Sequence, residues 1–152
     1  MNKIKVFEAF AGYGGASFAL KRAKIPHSVI GFSEIDKFAD ELYKKNFPGI
    51  KNYGDIKEID AESLPDFDLF TGGFPCQPFS QVGLGKGEQD TRGTLFHNIL
   101  KICKEKQPKH ILLENVKGLI TKRYRKTLQT IVLKLEKQGY QVTYNLLNSK
   151  DY

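Results

Sequence analysis

Apolar and polar positions alternate through residues 3–10 (KIKVFEAF) and then give way to the turn Gly12-Tyr13-Gly14-Gly15. That period predicts a strand, and residues 17–24 predict a short helix ended before Pro26. A second strand is expected over 27–35 (HSVIGFSEI). A helix follows over 36–47, where Phe38, Leu42, Tyr43 and Phe47 recur at helical spacing up to Pro48-Gly49. Residues 50–53 read as a brief third strand and 67–71 as a fourth. Residues 94–105 then form a helix whose apolar face holds Phe96, Ile99, Leu100 and Cys103. Pro108 resets the chain before a fifth strand, 110–115 (HILLEN). The helix 124–137 turns Leu128, Ile131, Val132 and Leu135 inward, and after Gly139 the run YQVTYNLLN (140–148) reads as a sixth strand.

Strands and helices thus alternate almost from end to end. Apolar strands joined by helical crossovers predict an α/β fold with a mostly parallel sheet covered on both faces. No repeat or linker divides the chain, so residues 1–152 are expected to form one domain. Residues 80–93 (SQVGLGKGEQDTRG) are too polar and glycine-rich for core and read as a loop beside the sheet.

Composition narrows the class. The 152 residues are 40% hydrophobic, enough for one core, and no apolar run approaches a membrane span. The N-terminus alternates where a signal peptide would be apolar, so a cytoplasmic location is expected. Cys76 and Cys103, with His27, His97 and His110 scattered, make neither a disulfide framework nor a metal site. Lys and Arg outnumber Asp and Glu by 24 to 17, giving +7. That excess fits either simple solubility or a polyanionic partner.

FAGYGGAS stands where strand one hands over to helix one. Gly12 and Gly14 can approach a ligand closely, and Gly15 allows tight strand–helix passage. A nucleotide at a helix N-terminus is the usual occupant, although a bare turn would also use such glycines. Glu34 lies 22 residues after Gly12 at the end of strand two, where a carboxylate can accept ribose hydroxyls. Asp55, in YGDI after strand three, could accept from an adenine amino group. The third glycine comes too early for a dinucleotide's pyrophosphate cradle. S-adenosylmethionine, with adenosine, no phosphate and a positive sulfonium, suits two carboxylates better.

GGFPCQPFS follows the fourth strand. Pro75 and Pro78 stiffen a turn that would expose Cys76, and backbone amides there can favour the thiolate. Cys103, on an apolar helical stripe, reads as core. Glu114 and Asn115 leave the fifth strand at the same crevice, because a buried strand would not hold them cheaply. Thiolate and carboxyl together suit addition of a thiol to an electron-poor ring.

GGFPCQPFS, ENV and FxGxGG, with SEID, GDI and DTRGTLF in order, resemble the signature segments of the cytosine-5 DNA methyltransferases. The resemblance implies a Rossmann-like S-adenosylmethionine-dependent methyltransferase sheet. Phe10, Gly12, Gly14, Glu34, Asp55 and Leu95 would hold the cofactor. Cys76 would attack C6 of a cytosine flipped from double-stranded DNA while Glu114 engages N3. Residues 80–92 would close over the base, with Gln77, Ser80 and Arg92 as contacts. DNA methylation in a restriction–modification system, without metal or membrane, is the implied setting, with nucleoid association on DNA. Ribosomal-RNA-type enzymes are disfavoured because no cysteine lies near ENV, whereas a transfer-RNA enzyme on the DNA-type template would share these segments.

In the family, a segment like NSKDY runs into G-x-P-Q-x-R-x-R, a recognition domain and a final helix. The chain is therefore expected to be roughly the first half of an enzyme, with its sheet incomplete at the C-terminal side and a complementing half or subunit required. Two other readings stay open: an inactive nucleotide-binding fragment and a nicotinamide-dependent oxidoreductase. KRYRK (122–126) reads as a phosphate contact or as a solvated helix start.

Overall fold

The computed structural model describes residues 3–75 and 95–151. Cys76, Gln77, Ser80, Arg92 and the whole of the expected 80–93 loop lie outside the described residues. The elements run β1 (Ile4–Ala9), α1 (Gly15–Arg22), β2 (His27–Ser33), α2 (Lys37–Asn46), β3 (Leu69–Gly73), α3 (Leu95–Lys106), β4 (His110–Glu114) and α4 (Arg125–Glu136). Two 3-10 turns, Lys117–Ile120 and Lys122–Tyr124, lead from β4 into α4.

The described strands form one parallel sheet in the order β2-β1-β3-β4. Its register brings the strands' C-terminal ends to a common edge: Ala9 lies beside Ser33 and Gly72, and Gly73 beside Glu114. Alternation along β1 sorts the two faces. Phe7 and Ala9 join a core with Phe70, Ile99, Ile102 and Cys103 from β3 and α3, closed by Ile131 and Leu135 of α4. Glu8 points the other way, toward Ser17 of α1 and Tyr43 of α2.

Three expectations need correction. Residues 50–53 contribute a single bridge, Phe32 to Asn52, flanked by backbone bonds from Phe32 to Lys51 and from Tyr53 to Phe32. Gly54 then turns away with φ +72°. Residues 140–148 form no strand, because the outer edge of β4 stands apart from them across a cavity of ≈ 520 Å³. Only the first part of the segment is held in place: the Tyr140 hydroxyl donates to the Pro108 carbonyl (3.0 Å), and Val142 packs on the core.

Helix α2 is also rotated from the apolar face its pattern suggests. Tyr43 is fully buried and stacks on Phe32 at 3.8 Å between centroids, which turns Phe38 and Leu42 outward. Cover on both faces holds around β1 and β3, but Leu112 of β4 is 61% exposed.

Burial pushes the Cys103 thiol up to about 12, and burial together with the Glu8 carboxylate raises the Tyr43 phenol. Both stay neutral in the fold, whereas the unfolded chain ionises them from about 8.5 and about 10. Their stabilisation is complete below about pH 8.5 and is lost as pH rises through the folded values. Past its unfolded value each group removes about 1.4 kcal/mol per pH unit. Urea unfolding followed against pH should show stability falling above about pH 8.5, with Cys103→Ala removing the early part of the fall. An unchanged slope in that variant would contradict a buried neutral thiol.

Candidate functional site

The turn after β1 begins with a strained residue. Phe10 has φ +53°, a left-handed conformation that costs a non-glycine residue about 1–3 kcal/mol. Phe10 borders two cavities at the C-terminal edge of the sheet. Gly12 follows with φ +54°, and nothing stands within 4 Å of where its Cβ would be. Gly14, at φ +92°, is buried against Phe47, whose ring a Cβ would strike. Gly14 therefore packs the start of α1 against the end of α2, while Gly12 and Gly15 border the open space.

Below this turn, Glu8 is 1% exposed and accepts from the Ser17 hydroxyl and the Tyr43 hydroxyl, each at 2.7 Å. A buried carboxylate is costly unless its oxygens are bonded, and here each oxygen has a donor. The pair of bonds fastens α1 and α2 to β1.

Glu34 is held just as closely. Its Oε2 accepts from the Gly12 amide (2.8 Å), and its Oε1 accepts from the Ile35 and Asp36 amides (2.9 Å each). A carboxylate offers about four lone-pair sites, so Oε2 retains room for about one more donor. Asn52 fixes the neighbouring loop: its Oδ1 accepts from the Glu34 and Gly54 amides, while its Nδ2 donates to the Glu34 carbonyl and to Asp40. The Ser33 hydroxyl adds a bond to the Gly54 carbonyl at 2.6 Å.

Asp55 lies beyond that loop, and among the described residues its carboxylate is engaged by Lys57 alone. Its Oδ1 accepts from the Lys57 amide (3.0 Å), and its Oδ2 stands 3.3 Å from Lys57 Nζ. Glu34 and Asp55 border one cavity of ≈ 210 Å³, whose apolar lining comes from Phe10, Ile35, Ile56 and Leu95. This combination of carboxylates and apolar walls fits an adenosine. Among the described residues no group of three His, Cys, Asp or Glu could hold a metal ion.

The second cavity, ≈ 470 Å³, reaches from Gly12 and Gly15 across Gly72 and Gly73 to Glu114. Glu114 pairs in register with Gly73, and a Cβ on Gly73 would come 2.9 Å from Glu114 Oε2. Only glycine leaves that carboxylate its place. Asn115 donates its Nδ2 to the Phe74 carbonyl (2.8 Å), tying the end of β4 to the segment that leads into Cys76. The β3–β4 pairing expected from sequence is therefore present. Cys76 itself lies outside the described residues.

Ile35, Lys57 and Asn52 were missed from sequence. Ile35 directly follows Glu34, and Lys57 stands two residues after Asp55, so both had a positional signal. Asn52 had none, because its role exists only once two loops meet.

The family model for the C-5 cytosine-specific DNA methylase matches residues 4–152. The type II methyltransferase M1.ScrFI of Lactococcus lactis subsp. cremoris is 47% identical over 150 residues, covering 99% of this chain and 38% of that protein. M.HaeII of Haemophilus aegyptius is 45% identical over 152 residues, covering 100% of this chain and 47% of its own. The chain thus spans less than half the length of either relative. Among solved structures, the S. pombe Dnmt2 methyltransferase superposes with a TM-score of 0.65 at 28% identity, covering 87% of this chain and 40% of that one.

The two glycines should respond differently to alanine. Each substitution forces a left-handed conformation, at about 1–2 kcal/mol, but only Gly14→Ala also drives a Cβ into Phe47. Thermal melts should show the larger loss for Gly14→Ala. Equal losses would contradict the packing described for Gly14.

Proposed function

The chain belongs to the C-5 cytosine-specific DNA methylase family, and from that premise we propose that it is the cofactor-binding and catalytic part of an enzyme methylating C5 of cytosine in double-stranded DNA. By family it is a DNA (cytosine-5-)-methyltransferase, and the family depends on S-adenosylmethionine. The observation that carries the proposal is the pairing of Gly73 with Glu114, together with the Asn115–Phe74 bond. It sets a carboxyl group beside the segment that continues into Cys76.

S-adenosylmethionine, when bound, supplies an electrophilic methyl group. In this proposal the free acceptor position of Glu34 takes a ribose hydroxyl, and Asp55 takes the adenine amino group. Phe10, Ile35 and Leu95 flank the adenosine. Gly12 leaves room for the ligand, while Gly14 keeps the turn in shape. The N-terminal amides of α1, beside Gly15 and Ala16, suit an amino-acid carboxylate.

Cys76, as thiolate, forms a bond to C6 of a cytosine turned out of the duplex. The C5–C6 π pair shifts into the ring, and Glu114 stabilises it by a hydrogen bond or proton at N3. The pair returns through C5, which would take the methyl group as the sulfur–methyl bond breaks and its electron pair stays on sulfur, leaving a neutral thioether. Water then takes the C5 proton, the C–H pair rebuilds the C5–C6 double bond, the C6–S bond breaks to release Cys76 as thiolate, and any proton at N3 returns to Glu114. Turning the base out costs about a few kcal/mol, which contacts from residues 80–92 would help to recover.

The cavity beside β4 supports the need for a complementing half. His110–Leu113 form one wall and Gln141–Tyr144 the other, over Leu128, Ile131 and Leu135. An added extended segment would find there the edge of β4, which no strand pairs among the described residues.

Labelled methyl transfer to mixed-sequence duplex should appear when the chain is combined with a C-terminal half from a relative. Cys76→Ser should abolish it, and Glu114→Gln should slow it by about 10²-fold or more. Transfer by the Cys76→Ser mixture at the intact rate would overturn the covalent mechanism. Transfer only to transfer RNA would overturn the substrate.

A further inference from the structure

Between Asn115 and Leu135 the chain carries six basic residues and no acidic one, against a net charge of +7 for the whole protein. Five of the six cluster in the turns after β4 and the first turn of α4: Lys117, Lys122, Arg123, Arg125 and Lys126. All five are exposed. Among the described residues none of them makes an ion pair, whereas Lys44, Lys57, Lys106 and Lys109 each have a carboxylate partner.

Helix stability does not account for this cluster. Helix α4 opens at Arg125 with no side-chain cap and no acidic residue in its first turn. Cations there oppose the helix dipole. The turns are nevertheless well placed: Leu119 is buried beneath them, and the Thr121 hydroxyl bonds to the Gly118 carbonyl at 2.7 Å. The Arg123 guanidinium lies over the Tyr124 ring, 5.4 Å from its centroid. These turns follow directly from Glu114, so the charge stands on the same edge of the sheet as the two cavities.

We propose that this rim, centred on Lys122, Arg123, Arg125 and Lys126, contacts the phosphate backbone of duplex DNA and gives the chain a sequence-independent hold on its substrate. The proposal rests on the DNA methyltransferase reading and adds a surface to it. Unpaired cations spread over successive turns match a polyanion carrying one charge per about 1.7 Å of axis. Contacts of this kind position a duplex without reading its sequence.

Anisotropy of a labelled mixed-sequence duplex, titrated with the full chain across a salt series, tests the surface. Each neutralised phosphate contributes about −0.9 to the slope of log K against log salt. Replacing Lys122, Arg123, Arg125 and Lys126 by Gln should flatten that slope by about 3 to 4 without lowering the melting temperature. Replacing Lys21, Arg22, Lys101 and Lys104 by Gln removes the same charge elsewhere and should leave the slope nearly unchanged. Equal flattening by both sets, no duplex binding by the unmodified chain, or tighter binding of a folded RNA would overturn the proposal. If the rim variant keeps the original slope while the complemented mixture still methylates duplex, the surface is wrong and the enzyme reading stands. Loss of methylation with the rim slope intact would strike the enzyme reading alone.

Discussion

The functional end of this molecule depends on one constraint, the parallel register that makes β1, β3 and β4 end together. Ala9 meets Gly72, and Gly73 meets Glu114. A one-residue slip in a strand would send every side chain to the opposite face. Glu8 would then leave its donors Ser17 and Tyr43, and Phe7 would leave the core. The chain places its smallest residues where strand ends crowd the site. Gly73 sits under the Glu114 carboxylate, and Gly12 stands where the space over its Cα is open.

Loops fixed by polar side chains complete what the strands begin. Glu34 accepts three backbone amides, one of them from the turn after β1, so two loops far apart in sequence share one anchor. Asn52 makes four bonds and holds a third loop to them. Partly buried networks in which every group is bonded are rigid. Ligand recognition by such a site costs less ordering than recognition by free loops. The left-handed backbone at Phe10 is held in the same surroundings, with the Ala11 amide bonded to the Ser33 carbonyl.

Most of the alternating fold was legible from sequence because periodicity reports burial, and burial is nearly complete in β1 and β3. Glu34 and Glu114 were legible as acidic residues following apolar runs, and Asp55 as the acidic residue of YGDI. Periodicity failed where burial did not follow it. Phe38 and Leu42 are apolar yet exposed, since stacking of Tyr43 on Phe32 sets the rotation of α2. Residues 140–148 have strand-like side chains but no strand within pairing reach, and side-chain preference alone does not form a sheet. Asn52, and the Lys57 side chain against Asp55, depend on tertiary approach that no local pattern encodes.

Our proposal gives the chain, folded alone, an S-adenosylmethionine site in which Glu34, already bonded to the Gly12 amide, takes a ribose hydroxyl. Calorimetric titration of S-adenosylmethionine into the full chain and into Glu34→Gln is the decisive measurement. One saturable site, weakened about tenfold or more in the variant, is the expected result. A folded chain that releases no binding heat, or one whose affinity is indifferent to Glu34→Gln, would rule out this role for Glu34.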